Sequence, residues 1–357
     1  MNSVETINIV KVVAPAAISF VVGILMTPAV SGYLYRNKMW KKKSGKIATD
    51  GRATPIFNAL HKDKEVGTPR MGGVIIWGSV FITIFAIWLI AQIFPNEITS
   101  KLSFLSREHT WLPLFTLFIG AMIGLVDDYM EIAGNSDYFA GGLSLRKRLG
   151  VVFLVALVAA YWFYAKLDVS STFIPFVGYF DLGLWYIPFF ILVMLGMYSS
   201  GVIDGLDGLA GGVFMCSFGA YGTIAFFTGF INIAAFCFVV VGGILAFLWF
   251  NIPPARFYMS ETGSMALTMT LTVVAFLTER EMLLPIISFP LVATTFSDII
   301  QLLSKKLRNG KKVFLVAPIH HHFEAIGWPA YKVTMRYWVI SMVMAIIGIV
   351  ISVVGYY

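Results

Sequence analysis

The feature that most constrains this chain is a succession of long apolar runs separated by short polar segments. A helix that spans a bilayer needs about 20 mainly apolar residues. Runs of that kind occur at 9–34, 71–94, 111–127, 149–166, 184–202, 211–229, 231–250, 265–279, 282–304 and 336–356. The chain is 58% hydrophobic and 13% charged, and no polar stretch is long enough to build a soluble domain. The expected fold is therefore all-α: one integral membrane domain over residues 1–357, with about ten transmembrane helices and both termini outside. The run at 9–34 lacks a basic leader and a small-residue cleavage site, so it reads as a retained helix. Cys216 and Cys237 lie in apolar runs and form neither a CxxC nor a disulfide framework.

Basic residues alternate between the loops. Nine fall between Arg36 and Lys64, three at Arg146, Lys147 and Arg148, and six between Lys305 and Lys332. The intervening loops hold little beyond Lys101, Arg107 and Arg280. By the positive-inside rule the odd-numbered loops are cytoplasmic. The net charge of +7 then follows from topology, and no nucleic-acid partner is expected. A lesser role for Lys41–Lys43 is to meet anionic headgroups of membrane lipids.

The segments richest in Asp, Asn, Gly and His are 127–148, 201–210, 251–264 and 305–335. All lie in odd-numbered loops, so all can meet at one membrane face. Asp127 and Asp128 close the third run, and successive helical residues point about 100° apart. One can serve a metal while the other handles a proton or a second ligand. Asp204 and Asp207 share a face if helical, and Gly205 lets a backbone approach a ligand. Asn251 opens a segment whose two prolines hold it extended. In that segment Tyr258 offers a ring for stacking on a base, and Glu261 adds a carboxylate. The simpler reading of Glu261 is an acid favoured at a helix start by the macrodipole.

His320, His321 and His322 invite a zinc site, but the i, i+4 spacing of helical zinc pairs is missing and no cysteine is near. Imidazoles among basic residues can instead bind phosphate or sugar oxygens. Carboxylates for a hard cation, with cationic and N–H donors for phosphates beside a bilayer, suit phosphoryl transfer.

These motifs resemble the polyprenyl-phosphate N-acetylhexosamine-1-phosphate transferase superfamily. They are Asp127-Asp128-Tyr129, Asp204-Gly205-Leu206-Asp207-Gly208-Leu209-Ala210, Asn251 through Ser264, and Pro318 through Glu324. The histidine run, with Gly67-Thr68-Pro69-Arg70-Met71-Gly72-Gly73, resembles the phospho-N-acetylmuramoyl-pentapeptide transferase family. The resemblance implies Mg2+, a homodimer in the bacterial inner membrane, and an active site on the cytoplasmic side. It also implies transfer of phospho-N-acetylmuramoyl-pentapeptide from UDP to undecaprenyl phosphate, giving lipid I and UMP.

Carried over by position, Asp127 matches the acid held to deprotonate the lipid phosphate or to act as nucleophile, and Asp128 its partner acid. His320 joins them in the catalytic group, and His321 and His322 stand on the substrate side. Asp204, Gly205, Leu206, Asp207, Asn251 and Tyr258 match the uridine-pocket region, Lys64 a pocket lysine, and Glu261 a metal-ligand aspartate.

The chain also departs from the family pattern. Gly201 stands where a side-chain amide is usual, Glu261 adds a methylene to the usual aspartate, Glu131 replaces a lysine, and Arg146 and Arg148 stand where lysines are common. The rivals are a related UDP-N-acetylhexosamine:polyprenyl-phosphate phosphotransferase and, from another class, a membrane transporter. Against a transporter, the polar motifs gather in loops at one face, whereas transport sites lie near the midplane.

Overall fold

The computed structural model describes residues 3–42, 66–106, 109–134 and 142–355. The helices are α1 Ser3–Arg36, α2 Gly73–Ile93, the short α3 Glu97–Leu102, α4 Trp111–Ala133, α5 Leu145–Lys166, α6 Tyr186–Ser199, α7 Leu209–Phe227, α8 Ile231–Asn251, α9 Ser260–Leu277, α10 Leu284–Ile287, α11 Phe289–Leu307, α12 Ile319–Ala325 and α13 Ala330–Val354. Among the described residues nine helices are long and apolar enough to cross a membrane. The count becomes ten if the pair Glu281–Ile287 and Phe289–Leu307, which meet at 81°, is one span. These elements match the ten apolar runs, with a break at Ser288 inside the ninth that the run itself did not signal.

The least apolar run forms the centre of the bundle. In α9 every residue except Glu261 is buried. Its threonine hydroxyls donate to carbonyls of their own helix, as in Thr268 to Ser264 O at 2.8 Å and Thr270 to Ala266 O at 2.7 Å. Hydroxyls satisfied in this way can be buried away from water. On α4, Gly120 and Gly124 face α9. A methyl group at Gly124 would collide with the Glu261 carbonyl oxygen, and one at Gly120 with the Ala266 backbone. Small residues one turn apart let two helices approach closely in a membrane, and this approach seats the end of α4 beside the start of α9.

The two ends of the bundle differ. At one end the hairpin β1 Ser171–Ile174 and β2 Gly178–Asp181 pairs antiparallel, with Thr172 opposite Phe180. Thr172 donates to Glu281 Oε1 at 2.5 Å, Tyr179 to Glu279 Oε2 at 2.5 Å, and the Phe176 amide to Gly355 O at 3.0 Å. The first turns of α1 line a cavity with Glu97 and Lys101. Both chain ends therefore lie at the hairpin end, and the polar loops meet at the other.

Candidate active site

Two helix ends build the centre of the site. Asp127 and Asp128 are fully buried on the last turns of α4. That helix runs on to Ala133, beyond the apolar run that ends at 127, because cations and amides meet its acids. Asp128 Oδ2 accepts the Thr262 amide at 2.9 Å and the Thr262 hydroxyl at 2.6 Å. Arg70 lies 3.5 Å from Asp128 Oδ1 and 2.9 Å from Glu131 Oε2, and Lys41 lies 2.9 Å from Glu131 Oε1. Burial works against the Arg70 charge, and the Glu131 and Asp128 carboxylates outweigh it, so the guanidinium titrates above its ordinary value.

Asp127 is held by the segment that enters α5. Its Oδ1 accepts the Leu143 amide at 2.6 Å and lies 3.1 Å from Arg148 Nε. Gly142, with φ of +65°, packs so closely that a side chain there would strike the Asp127 carboxylate. Arg148 reaches on to Glu261 Oε1 at 2.6 Å. Among the described residues nothing donates a hydrogen bond to the buried Asp127 Oδ2. Oxygens of Asp127, Asp128 and Glu131 lie within 4.8 Å of one another. Arg70, Lys41 and Arg148 offset part of their mutual repulsion. Hard oxygen donors and an orphaned buried oxygen are what a Mg2+ ion requires, so the residues present fit such an ion.

The glycine-rich loop ties the rest together. The expectation that Asp204 and Asp207 share a helical face is corrected: a 3-10 turn, Ser200–Ile203, ends before them and α7 begins at Leu209. Freed from a helix, the two carboxylates diverge. Asp204 Oδ2 accepts the Ser260 amide at 2.7 Å, and Asp207 Oδ2 the Ala255 amide at 3.0 Å. Asn251 accepts from the Gly208 amide at 2.9 Å and donates to Phe257 O at 2.7 Å. Leu206 is buried. The Tyr258 amide donates to Pro69 O, and Tyr258 O accepts from the Gly72 amide, both at 2.8 Å. Asp204, Asp207 and Asn251 thus hold the walls of a site in register.

The histidines take three different positions. His320 and His321 are buried, with ring centroids 4.2 Å apart. A side chain at Gly205 would collide with the Nε2 atoms of both. His321 Nδ1 lies 2.7 Å from Glu324 Oε2. His322 turns away and accepts the Leu315 amide at Nδ1, 3.2 Å. A polar stripe on α11 fixes this loop: Ser297 accepts the Ile319 amide at 2.9 Å, and Gln301 accepts the Val313 and Phe314 amides, each at 3.0 Å. The three rings do not converge as zinc ligands would.

Of the expected site residues, Asp127, Asp128, Glu261, Asp204, Gly205, Asn251, His320 and His321 come together through these contacts. Lys64 lies outside the described residues. Arg70, Glu131 and Arg148, which the sequence marks only as part of a motif, a departure from the family pattern and a topology signal, each sit within the ion-pair network. Their charge signs were visible in sequence; their pairings were not.

A polytopic helical membrane protein with buried carboxylates at one end of its bundle is the class that this fold and site define. Residues 110–279 match the family model described as glycosyl transferase family 4. The chain is 33% identical over 342 residues to the phospho-N-acetylmuramoyl-pentapeptide-transferase of Anoxybacillus flavithermus, covering 95% of this chain and 97% of that protein. It is 35% identical over 347 residues to the Listeria innocua protein of the same name, covering 96% and 98%. The Chloroflexus aurantiacus protein of that name is 32% identical over 359 residues, covering 97% and 92%. The chain belongs to the phospho-N-acetylmuramoyl-pentapeptide-transferase family.

Proposed function

We propose that this protein transfers phospho-N-acetylmuramoyl-pentapeptide from UDP to undecaprenyl phosphate in the bacterial inner membrane, giving lipid I and UMP. The observation that carries this reading is convergence. The end of α4, the first turn of α9, the Asp204–Gly208 loop and the buried histidines meet at one end of a membrane bundle. In the reaction an oxygen of the lipid phosphate attacks the sugar-linked phosphorus of the nucleotide substrate. The bond from that phosphorus to the bridging oxygen breaks, and UMP leaves with the electron pair.

Asp127 would take a proton from the lipid phosphate and orient it, a role supported by its buried Oδ2, which meets no donor among the described residues. Asp127, Asp128 and Glu131, with Glu261 at their border, would hold Mg2+, which when bound offsets charge on the diphosphate. Arg70 and the His320 and His321 rings would supply further donors to phosphate oxygens. The Asp204–Gly208 loop, Asn251 and Tyr258 would frame the uridine; the family pattern adds Lys64, which lies outside the described residues, whereas His322 is engaged by the Leu315 amide. The site end is the cytoplasmic one in this reading, and the working unit is a homodimer.

The test is purified protein in lipid nanodiscs with Mg2+, undecaprenyl phosphate and UDP-N-acetylmuramoyl-pentapeptide, read as UMP release and lipid product. UMP release from UDP-N-acetylglucosamine alone would favour the related phosphotransferases instead. Release from neither, with substrate taken up into sealed vesicles, would favour a transporter.

A further inference from the structure

Arg148 lies between carboxylates that belong to two different helices. Its Nε is 3.1 Å from Asp127 Oδ1 on α4, and its Nη1 is 2.6 Å from Glu261 Oε1 on α9. Nε also donates to Leu143 O at 2.9 Å, so the guanidinium is fixed on three sides. Each acid keeps a second oxygen. Asp127 Oδ2 is buried and meets no donor among the described residues, and Glu261 Oε2 is 3.5 Å from Ser264 Oγ. Glu261 does not belong to the group of three carboxylates whose oxygens approach within 4.8 Å; Arg148 links it to that group.

We propose that Arg148 is a positioning residue and a built-in cation, joining Asp127 to Glu261 and sharing both acids with the divalent ion. The proposal rests on the reading of this site as a cation-dependent transfer centre. A fixed positive charge in contact with a carboxylate repels an incoming divalent ion, and in a partly buried setting that repulsion is large. The bridge also ties the start of α9 to the end of α4. A planar guanidinium can hold two carboxylates at once, whereas an ammonium acts as a single point. Arg148 therefore weakens ion binding while it fixes the acids in the register that turnover needs.

Substitution separates these two effects. Arg148→Gln removes the charge and the bridge; Arg148→Lys keeps the charge and gives up the second arm. Mn2+ binding to the full-length protein in nanodiscs, read from the free-ion EPR signal, measures affinity without turnover. Arg148→Gln should bind Mn2+ about tenfold more tightly than wild type, yet release UMP about 100-fold more slowly, because small misplacements of reacting groups carry that cost. Arg148→Lys should bind Mn2+ within about threefold of wild type and still turn over slowly. A merely structural residue would not move affinity and turnover in opposite senses.

Unchanged or weaker Mn2+ binding in Arg148→Gln overturns the shared-ion role, and wild-type turnover overturns the positioning role. If Arg148→Gln does not fold, Arg148→Lys decides: wild-type turnover there overturns the bridge. A wild-type protein that binds no Mn2+ overturns the cation-dependent reading and this proposal with it. A wild-type protein that binds Mn2+ beside variants that behave like it overturns the proposal alone.

Discussion

Asp128 accepts both the amide and the hydroxyl of Thr262, at 2.9 and 2.6 Å, across 134 residues of chain. Thr262 sits in the first turn of α9, where amides have no partner within the helix. The Ser260 amide is met in the same way by Asp204 Oδ2 at 2.7 Å. Two acids from distant segments therefore cap α9, and their negative charge lies at the positive end of its dipole. Thr262→Val keeps the amide contact and removes the hydroxyl. It should lower stability by about 1–3 kcal/mol, the cost of a lost bond to a buried charged group. Thermal unfolding in one detergent measures this, and an unchanged midpoint would show that the hydroxyl contributes nothing.

Asp127→Asn and Glu261→Gln preserve shape and remove charge. Each should slow UMP release by at least about 100-fold, the scale of losing one electrostatic group from an active site. Asp127→Asn should still bind the nucleotide substrate, because the loop held by Asp204, Asp207 and Asn251 is untouched. Calorimetric titration alongside the turnover assay separates the two. Loss of nucleotide binding in Asp127→Asn would place that acid in the binding pocket.

Two glycines of one loop should respond oppositely to a methyl group. At Gly205 it would strike the Nε2 atoms of His320 and His321. At Gly201 it would make ordinary contact with Ser264 at 3.6 Å. Gly205→Ala should lose most turnover, by about 100-fold, while Gly201→Ala should fold with stability within about 0.5 kcal/mol of wild type. Comparable turnover in both would mean that the histidines yield without consequence.

Topology is tested by labelling. Val177 at the hairpin turn and Lys311 in the loop before α12 are both exposed, at opposite ends of the bundle. In intact cells a membrane-impermeant maleimide should label a cysteine at Val177 and spare one at Lys311 until the membrane is opened. The reverse pattern would put the site outside.

The membrane class, the ten apolar segments and the sharing of one end by the polar loops are legible in the residues alone. Those properties are local sums: apolar length and loop charge need no knowledge of neighbours. Motif order likewise picked out Asp127, Asp128, His320 and His321, which the fold brings to one end of the bundle. Tertiary structure decided what each side chain does. The run at 265–279 gave no sign that it would be the hub, because its threonines are satisfied only once the helix is wound. Glu131 stood out in sequence only as a departure from the family pattern and Arg148 only as a topology signal; Glu131 pairs with Arg70 and Lys41, and Arg148 bridges to Glu261 where Gly120 and Gly124 let α4 close on α9. Asp204 and Asp207 looked like a matched pair and parted, because each found an amide in a different stretch of the 251–264 segment. A carboxylate's partner is set by which backbone donors packing leaves unmet within about 3 Å of it, and that is fixed only when the helices have docked.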